Sequence, residues 1–382
     1  MTLSLISILA FAITAGQLIR VLIGTQGITA LDITVALFCL IGLLKIKFHL
    51  QKPPSQITAA LIFIAVTGVS LIFTPLHLKP VEYIISFSYT IRFFLYVIFA
   101  WLTFSGAFGN IQKNLGKVFL LSGISFAVLG ILQFIFFPDS SFLTIAGWDP
   151  HYFRTVSTFL DPNFAGAFLV LILLLLPALR GVITTKQSSL IFILVYLALL
   201  TTFSRSSYLM FLVSGLTFSF LKKSKIFAFA TIILFVILLA GFQVYTNLVS
   251  EPRNIDRARS ASFRLNTWQQ GLTLFQSHPF LGVGFNSYRY ALKDYNLGDE
   301  QFLQSHGSSS NDSSLLFVAS TTGILGLLAY LYFLWILFKP SNGNFILTAG
   351  VAGLLIHSLF ANSLFYPPIL AWILLISVNP KK

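Results

Sequence analysis

Apolar run follows apolar run along this chain, most of them long enough to cross a bilayer, and that constrains its fold more than any motif does. Twelve runs can be laid on the sequence, roughly 3–19, 28–44, 57–74, 87–104, 116–137, 163–179, 189–203, 206–221, 226–248, 313–338, 345–357 and 362–378. A hydrocarbon core about 30 Å thick asks for about 20 apolar residues per helical crossing, and lipid offers no water to an unpaired amide. The expected fold class is therefore all-α integral membrane, with 10–12 transmembrane helices in one polytopic domain, 1–382. Only 9% of the residues are charged and the mean hydropathy is +0.87, whereas soluble domains carry roughly a quarter charged residues. Soluble enzyme, nucleic-acid binder and secreted module are excluded on that ground, despite the net charge of +13. The lone cysteine, Cys39, lies inside a run, so an intrachain disulfide is excluded. The N-terminus lacks a signal-peptide cleavage pattern, and its first run is expected to remain a helix.

Charge placement orients the runs. With the N-terminus in the cytoplasm, the inner loops and tail hold Lys45, Lys47, Lys52, Lys113, Lys117, Arg180, Lys186, Lys222, Lys223, Lys225, Lys339, Lys381 and Lys382 and no acid. All eleven acidic residues fall on the other side or within runs near it. The positive-inside rule predicts this bias, with both termini cytoplasmic and the segments 139–162 and 249–312 outside. Arginine separates from lysine in the same threading. Only Arg180 is inside; Arg20, Arg92, Arg154, Arg205, Arg253, Arg257, Arg259, Arg264 and Arg289 lie outside or toward that face. Lysine is a flexible point charge, while arginine is a planar fork matched to phosphate oxygens. An outer face so rich in arginine points to an anionic, phosphorylated ligand, against the bland reading of helix-end snorkelling and pairing with acids.

Three outer segments are candidates for chemistry. In 139–166, two Asp-Pro steps surround Arg154; Pro162 discourages a helical Asp161, and Asp161 or Asn163 can cap the helix that follows. In TTFSRSSYL, 201–209, Arg205 sits between apolar runs with almost no loop around it. Ser204 supplies a further donor, and a charge at membrane depth is a functional hypothesis by default. In 249–312, the spacing of Phe263, Trp268, Leu272 and Phe275 suggests an interfacial helix that carries Arg264. HPFLGVGFNSY then reads as a turn, in which Gly282 and Gly284 let backbone approach backbone or ligand. The same segment ends in QSHGSSSNDSS, where His306, Asn311 and Asp312 stand just ahead of a long apolar run. That polar stretch reads as the floor of an active site, with His278 as a turn residue.

Four patches in order, STFLDPNFAGAFL at 157–169, TTFSRSSYLMFLVSG at 201–215, SFRLNTWQQGLTLFQSHPFLGVGFNSY at 262–288 and DSSLLFVASTTGILGLLAYLYF at 312–333, resemble the O-antigen ligase and polymerase superfamily. Residues 157–333 are the region of resemblance. It implies a membrane glycosyltransferase of GT-C-like architecture that moves an undecaprenyl-diphosphate-linked glycan to an acceptor hydroxyl. The acceptor is a glycolipid, a protein or another lipid-linked glycan. The reaction would take place on the extracytoplasmic face of a bacterial inner membrane, without nucleotide sugar, cofactor or metal. The resemblance implies that Arg205 and Arg264 hold the diphosphate, with Arg154 and Arg289 as further phosphate ligands and Asn163, Ser204, Asn311, Gly282 and Gly284 in support. A histidine base is expected eleven residues ahead of the glycine here at Gly323, and that count lands on Asp312, with His306 six residues earlier. Both remain candidates: imidazole matches neutral pH, whereas Asp312 holds the position but can equally serve as a helix cap. The rival class is a transporter or flippase for an anionic lipid, which would use intramembrane arginines too. Transporters commonly carry internal repeats, and none is evident here.

Overall fold

The computed structural model describes residues 2–23, 26–47, 49–109, 111–179, 183–251, 257–339 and 344–378. Among the positions named above, Arg180, Arg253, Lys381 and Lys382 lie outside the described residues, as do the side chains of Arg257 and Arg259.

Fifteen α-helices make up most of the described chain: α1 (Thr2–Ala15), α2 (Ala30–Lys45), α3 (Ser55–Ile72), α4 (Pro80–Phe104), α5 (Ile111–Phe136), α6 (Pro162–Leu175), α7 (Thr185–Thr201), α8 (Arg205–Leu221), α9 (Lys225–Tyr245), α10 (Arg257–Ser277), α11 (Tyr288–Asp294), α12 (Glu300–Gln304), α13 (Ser314–Phe338), α14 (Phe345–His357) and α15 (Pro367–Ser377). Every apolar run read from the sequence contains a helix, though the limits do not always coincide. Six described segments are long and apolar enough to cross a membrane; they contain α3, α4, α5, α6, α9 and α13. The chain is a helical membrane protein.

The all-α expectation needs one correction. The first run is expected to be helical through residue 19, but α1 stops at Ala15 and an antiparallel hairpin follows, β1 (Arg20–Ile23) on β2 (Gln26–Thr29), with Arg20 opposite Thr29. Gly16 adopts φ 53, and a Cβ there would run into Thr158 and Phe159, so the chain can turn at this point only because the residue is glycine. Thr29 then caps α2 in a capping box with Asp32.

The helices pack as layers around α6, which is buried on nearly every side, while α9 is peripheral and exposes Ile226, Phe229 and Val236. α8 lies along α14, α13 along α3, and α1 along α5. Small residues allow the close approaches: Gly123 of α5 meets Ile172, and Gly353 of α14 meets Met210 and Ser214. Such approaches are how helices associate where lipid removes the hydrophobic drive. An aromatic cluster of Phe63, Phe93, Phe285, Phe317, Tyr330 and Phe365 joins α3, α4, α13 and the turn before α15, with Tyr330 stacked on Phe365 at 5.2 Å.

Part of the long outer segment does not stay outside the bundle. Helix α13 breaks at Gly323 (φ 64, ψ −164), and the turn 278–287 packs into the break. Val283 N and Gly284 N donate to the carbonyls of Ser320 and Thr321 (3.0 Å each), and Ile324 N donates to Pro279 O (2.7 Å). Of the two options left open by the sequence, the turn glycines serve the first: Gly282 and Gly284 let backbone meet backbone. A Cβ at Gly282 would strike the Thr321–Gly323 main chain. Ser70 of α3 donates to Thr321 O, and Thr74 donates to Val283 O, so the seam is closed from a third side.

Candidate active site

A cavity of about 420 Å³ opens where the hairpin, the loop 139–161 and the segment 306–312 meet the ends of α6, α10, α13 and α15. Five arginines line it, Arg20, Arg92, Arg154, Arg264 and Arg289, with three carboxylates, Asp149, Asp161 and Asp312. Its apolar part is aromatic and includes Phe164, Phe285, Phe317 and Tyr366, and the Phe164 and Tyr366 rings stack at 4.3 Å. Among the residues singled out from sequence, His306, Asp312, Arg264, Arg154, Arg289 and Asn163 line this cavity. Arg205, Ser204, Asn311, Gly282 and Gly284 are not in its lining.

Asp312 stands free of the capping role that competed for it. Ser313 caps α13, its hydroxyl accepting from Leu316 N, and Asn311 Oδ1 in turn accepts from Ser313 N. Asn311 is buried and spends its NH2 on Thr267 O and the Tyr288 hydroxyl, so it pins the loop. The Asp312 carboxyl, ahead of the span that begins with α13, receives one long contact from Thr267 Oγ1 (3.5 Å). Burial pushes it up to about 6, against the pull of Arg264 and with Asp161 and Asp149 adding to the rise. Arg264 projects from α10, and no hydrogen bond to its guanidinium occurs among the described residues. A cation with uncommitted donors beside a carboxylate of raised pKa is the chemical centre of the cavity.

His306 stands at another part of the wall. Its Nε2 lies 3.2 Å from the Ala146 carbonyl, which can only accept, so Nε2 carries the proton and Nδ1 is the open lone pair. The ring packs on Trp148 at 4.8 Å, and Arg20 covers the same indole, its guanidinium 4.9 Å from the ring centroid. Burial lowers the His306 pKa, the Ala146 contact opposes this, and Arg20 and Arg289 push it lower. His151, also in the lining, is pushed down to about 3 by burial, with Arg154 adding.

The other arginines are partly committed. Arg154 donates from Nε to Thr202 O (2.8 Å) and from Nη2 to Phe203 O (3.2 Å), tying the loop to the α7–α8 turn. Arg289 donates to Ser308 Oγ and Ser305 O (2.8 Å each), which fixes the segment bearing His306. Arg92 pairs with Asp32 at 3.0 Å and donates to Gly27 O (2.7 Å), bracing the hairpin. Arg289 uses only Nε and Nη2 in these contacts, which leaves donors for a ligand. Arg205 is the exception to the expected set: it is exposed and lies over Phe242 of α9 at 5.8 Å. Helical geometry explains it. Ser204, Ser206 and Ser207 face Asn163 of α6, and Arg205, about 100° around the helix from Ser204 and from Ser206, points toward α9.

Sequence reasoning groups Arg20 and Arg92 with the other expected outer-facing arginines without assigning them to a site, and gives Trp148 and His151 no role. The only signal is their membership of outer segments. Among the described residues no three His, Cys, Asp or Glu side chains group so as to hold a metal.

The comparisons with known proteins bear on one stretch. No curated protein matches the chain. Residues 190–331, which carry Arg205, Arg264, Arg289, His306, Asp312 and the Gly323 break, match the family model described as O-Antigen ligase, so over that stretch the chain is similar to the O-antigen ligase family.

Proposed function

We propose that the cavity binds the diphosphate of a lipid-linked glycan and transfers the glycan to an acceptor hydroxyl on the extracytoplasmic face, as an O-antigen ligase does. The observation that carries this is the convergence of Arg264 and Asp312, with Arg154, Arg289 and Arg20, in one cavity beside apolar helices. In the transfer, the acceptor oxygen forms a bond to the anomeric carbon as that carbon's bond to the diphosphate oxygen breaks. The bonding pair leaves with the diphosphate, whose growing charge Arg264 stabilises, helped by the donors left on Arg289 and by the positive charge of Arg154. The acceptor proton passes to Asp312. Its raised pKa makes it a stronger base than an ordinary carboxylate, while at about 6, held down by Arg264, it is still mostly ionised at neutral pH. His306, whose pKa is lowered and whose ring is held against Trp148, is the weaker candidate for the base.

The proposed orientation puts the cavity outside, both termini in the cytoplasm and twelve crossings between. It is supported by where the lysines fall: α2 begins beside the cavity at Thr29 and ends at Lys45, α8 begins at Ser204 and ends before Lys222, and α13 begins after Asp312 and ends before Lys339. A polymerase would use the same donor site and differ in its acceptor, a second lipid-linked glycan. The test is purified protein in lipid, given an undecaprenyl-diphosphate glycan and a panel of acceptor hydroxyls, with release of undecaprenyl diphosphate as readout. Transfer that Arg264→Ala abolishes is the expected result. Bound donor with no transfer to any acceptor class would refute the enzyme reading.

A further inference from the structure

The mouth of α6 holds a polar arrangement that the transfer chemistry above leaves unused. Asn163 lines the cavity from the first turn of α6, and its Oδ1 accepts from Ser204 Oγ (2.8 Å) and Ser206 Oγ (3.4 Å). Behind these, Ser207 Oγ stands 2.9 Å from Ser204 Oγ and 3.3 Å from Nε2 of His357, a fully buried histidine on α14. With the proton on Nε2, the imidazole donates to Ser207, whose single proton is shared between Ser204 Oγ and the Asn163 carbonyl (3.1 Å), and Ser204 donates to Asn163 Oδ1. That order sets the amide oxygen toward the serines and its NH2 away from them. No hydrogen bond from Asn163 Nδ2 occurs among the described residues, and the side chain is half-buried at the cavity wall.

The backbone is strained to hold this geometry. Leu160 and Phe203, just ahead of the two interacting turns, adopt φ 59 and φ 47, and Phe153 and Ser157 are left-handed as well. Non-glycine residues in this region are strained and persist where the surroundings over-determine them, typically at functional sites. Asp161 accepts from the backbone N–H groups of Asn163 and Phe164, so the helix end itself is capped and the side-chain amide is the donor it offers.

We infer that Asn163 is a substrate-contacting donor whose NH2 binds a phosphate oxygen of the ligand, with Ser204, Ser206, Ser207 and His357 as positioning residues that fix the orientation of its amide. This rests on the diphosphate reading of the cavity, because the arginine lining is what selects an anion for that donor.

The probe is farnesyl diphosphate, titrated against the full chain in lipid nanodiscs, with the apparent Tm of each variant measured alongside. Asn163→Asp keeps the oxygen that Ser204 needs and replaces the donor by an acceptor. It should weaken the probe about tenfold or more, as expected for a lost hydrogen bond to a charged group. If Asn163→Asp fails to fold, Asn163→Ala is read in the same way. Ser204→Ala should weaken the probe and Ser204→Thr, which keeps the hydroxyl and the cap, should restore it. Binding by Asn163→Asp at wild-type strength, while Arg264→Ala is impaired, would overturn this inference alone. Loss in Ser204→Ala that Ser204→Thr does not restore would overturn the relay. A wild-type protein that does not bind the probe would overturn the diphosphate reading and this inference with it.

Discussion

Replacing Gly323 by alanine tests the break that joins the outer segment to the bundle. A Cβ at this position would lie 2.5 Å from Leu281 N and closer still to the Phe280 carbonyl, and both are main chain, so neither can rotate aside. The φ of 64 and ψ of −164 belong to a region reserved in practice for glycine, where a side chain costs about 1–3 kcal/mol. Overpacking of a filled interior adds about 1–3 kcal/mol, so the expected destabilisation is about 2–6 kcal/mol. The loss would not stay local. The turn 278–287 is the link between α10, which carries Arg264, and α11, which carries Arg289, so moving it off α13 shifts both arginines relative to Asp312. The assay is the apparent Tm in nanodiscs together with donor turnover, and Gly68→Ala serves as the comparator. Gly68 lies in α3, where an added methyl would meet nothing within 4 Å, so alanine there should be neutral or stabilise by about 0.5–1 kcal/mol. A Gly323→Ala protein that melts with Gly68→Ala and turns over at the wild-type rate would refute the argument that this contact organises the site.

The base can be identified by pH. A carboxylate acts as base only when ionised, so with the Asp312 carboxyl at about 6 the wild-type rate should fall as pH drops through that value; Asp312→Asn should lose most turnover and His306→Ala should keep the acidic limb. An inactive His306→Ala beside an active Asp312→Asn would hand the role to the histidine. Arg205 and Arg264 should differ: Arg264→Ala should weaken a diphosphate probe about tenfold or more, whereas Arg205→Ala and Arg205→Lys, altering a side chain over Phe242, should bind it nearly as the wild type does; equal losses in titrations of both would restore Arg205 to the phosphate site. Orientation is open to single cysteines in a Cys39-free background. Ile145→Cys, on the exposed outer loop, should react with an impermeant thiol reagent in intact spheroplasts while Lys186→Cys stays protected, and the reverse pattern would invert the topology.

Much of this protein could be read without coordinates because lipid imposes one-dimensional rules. Backbone groups must be paired within each crossing, so helices and their approximate limits follow from apolar length alone. Local chemistry was legible too: Asp161 ahead of Pro162 does cap α6, and the glycines of the turn 278–287 do permit a close approach. What the sequence left open were questions of direction and distance. Whether Asp312 or Ser313 caps α13 differs by one residue, and only the packed loop, pinned through Asn311, frees the carboxylate. Arg205 sits between serines that hold Asn163, yet the turn of the helix aims it at α9, an outcome no linear spacing reveals. Arg20 reaches the cavity because α1 ends early and a hairpin folds back, its side chain laid over Trp148 from a loop more than a hundred residues away. A cavity assembled from segments far apart in the chain depends on how helices rotate and loops fold over them, and those are settled by three-dimensional packing rather than by the order of residues along the chain.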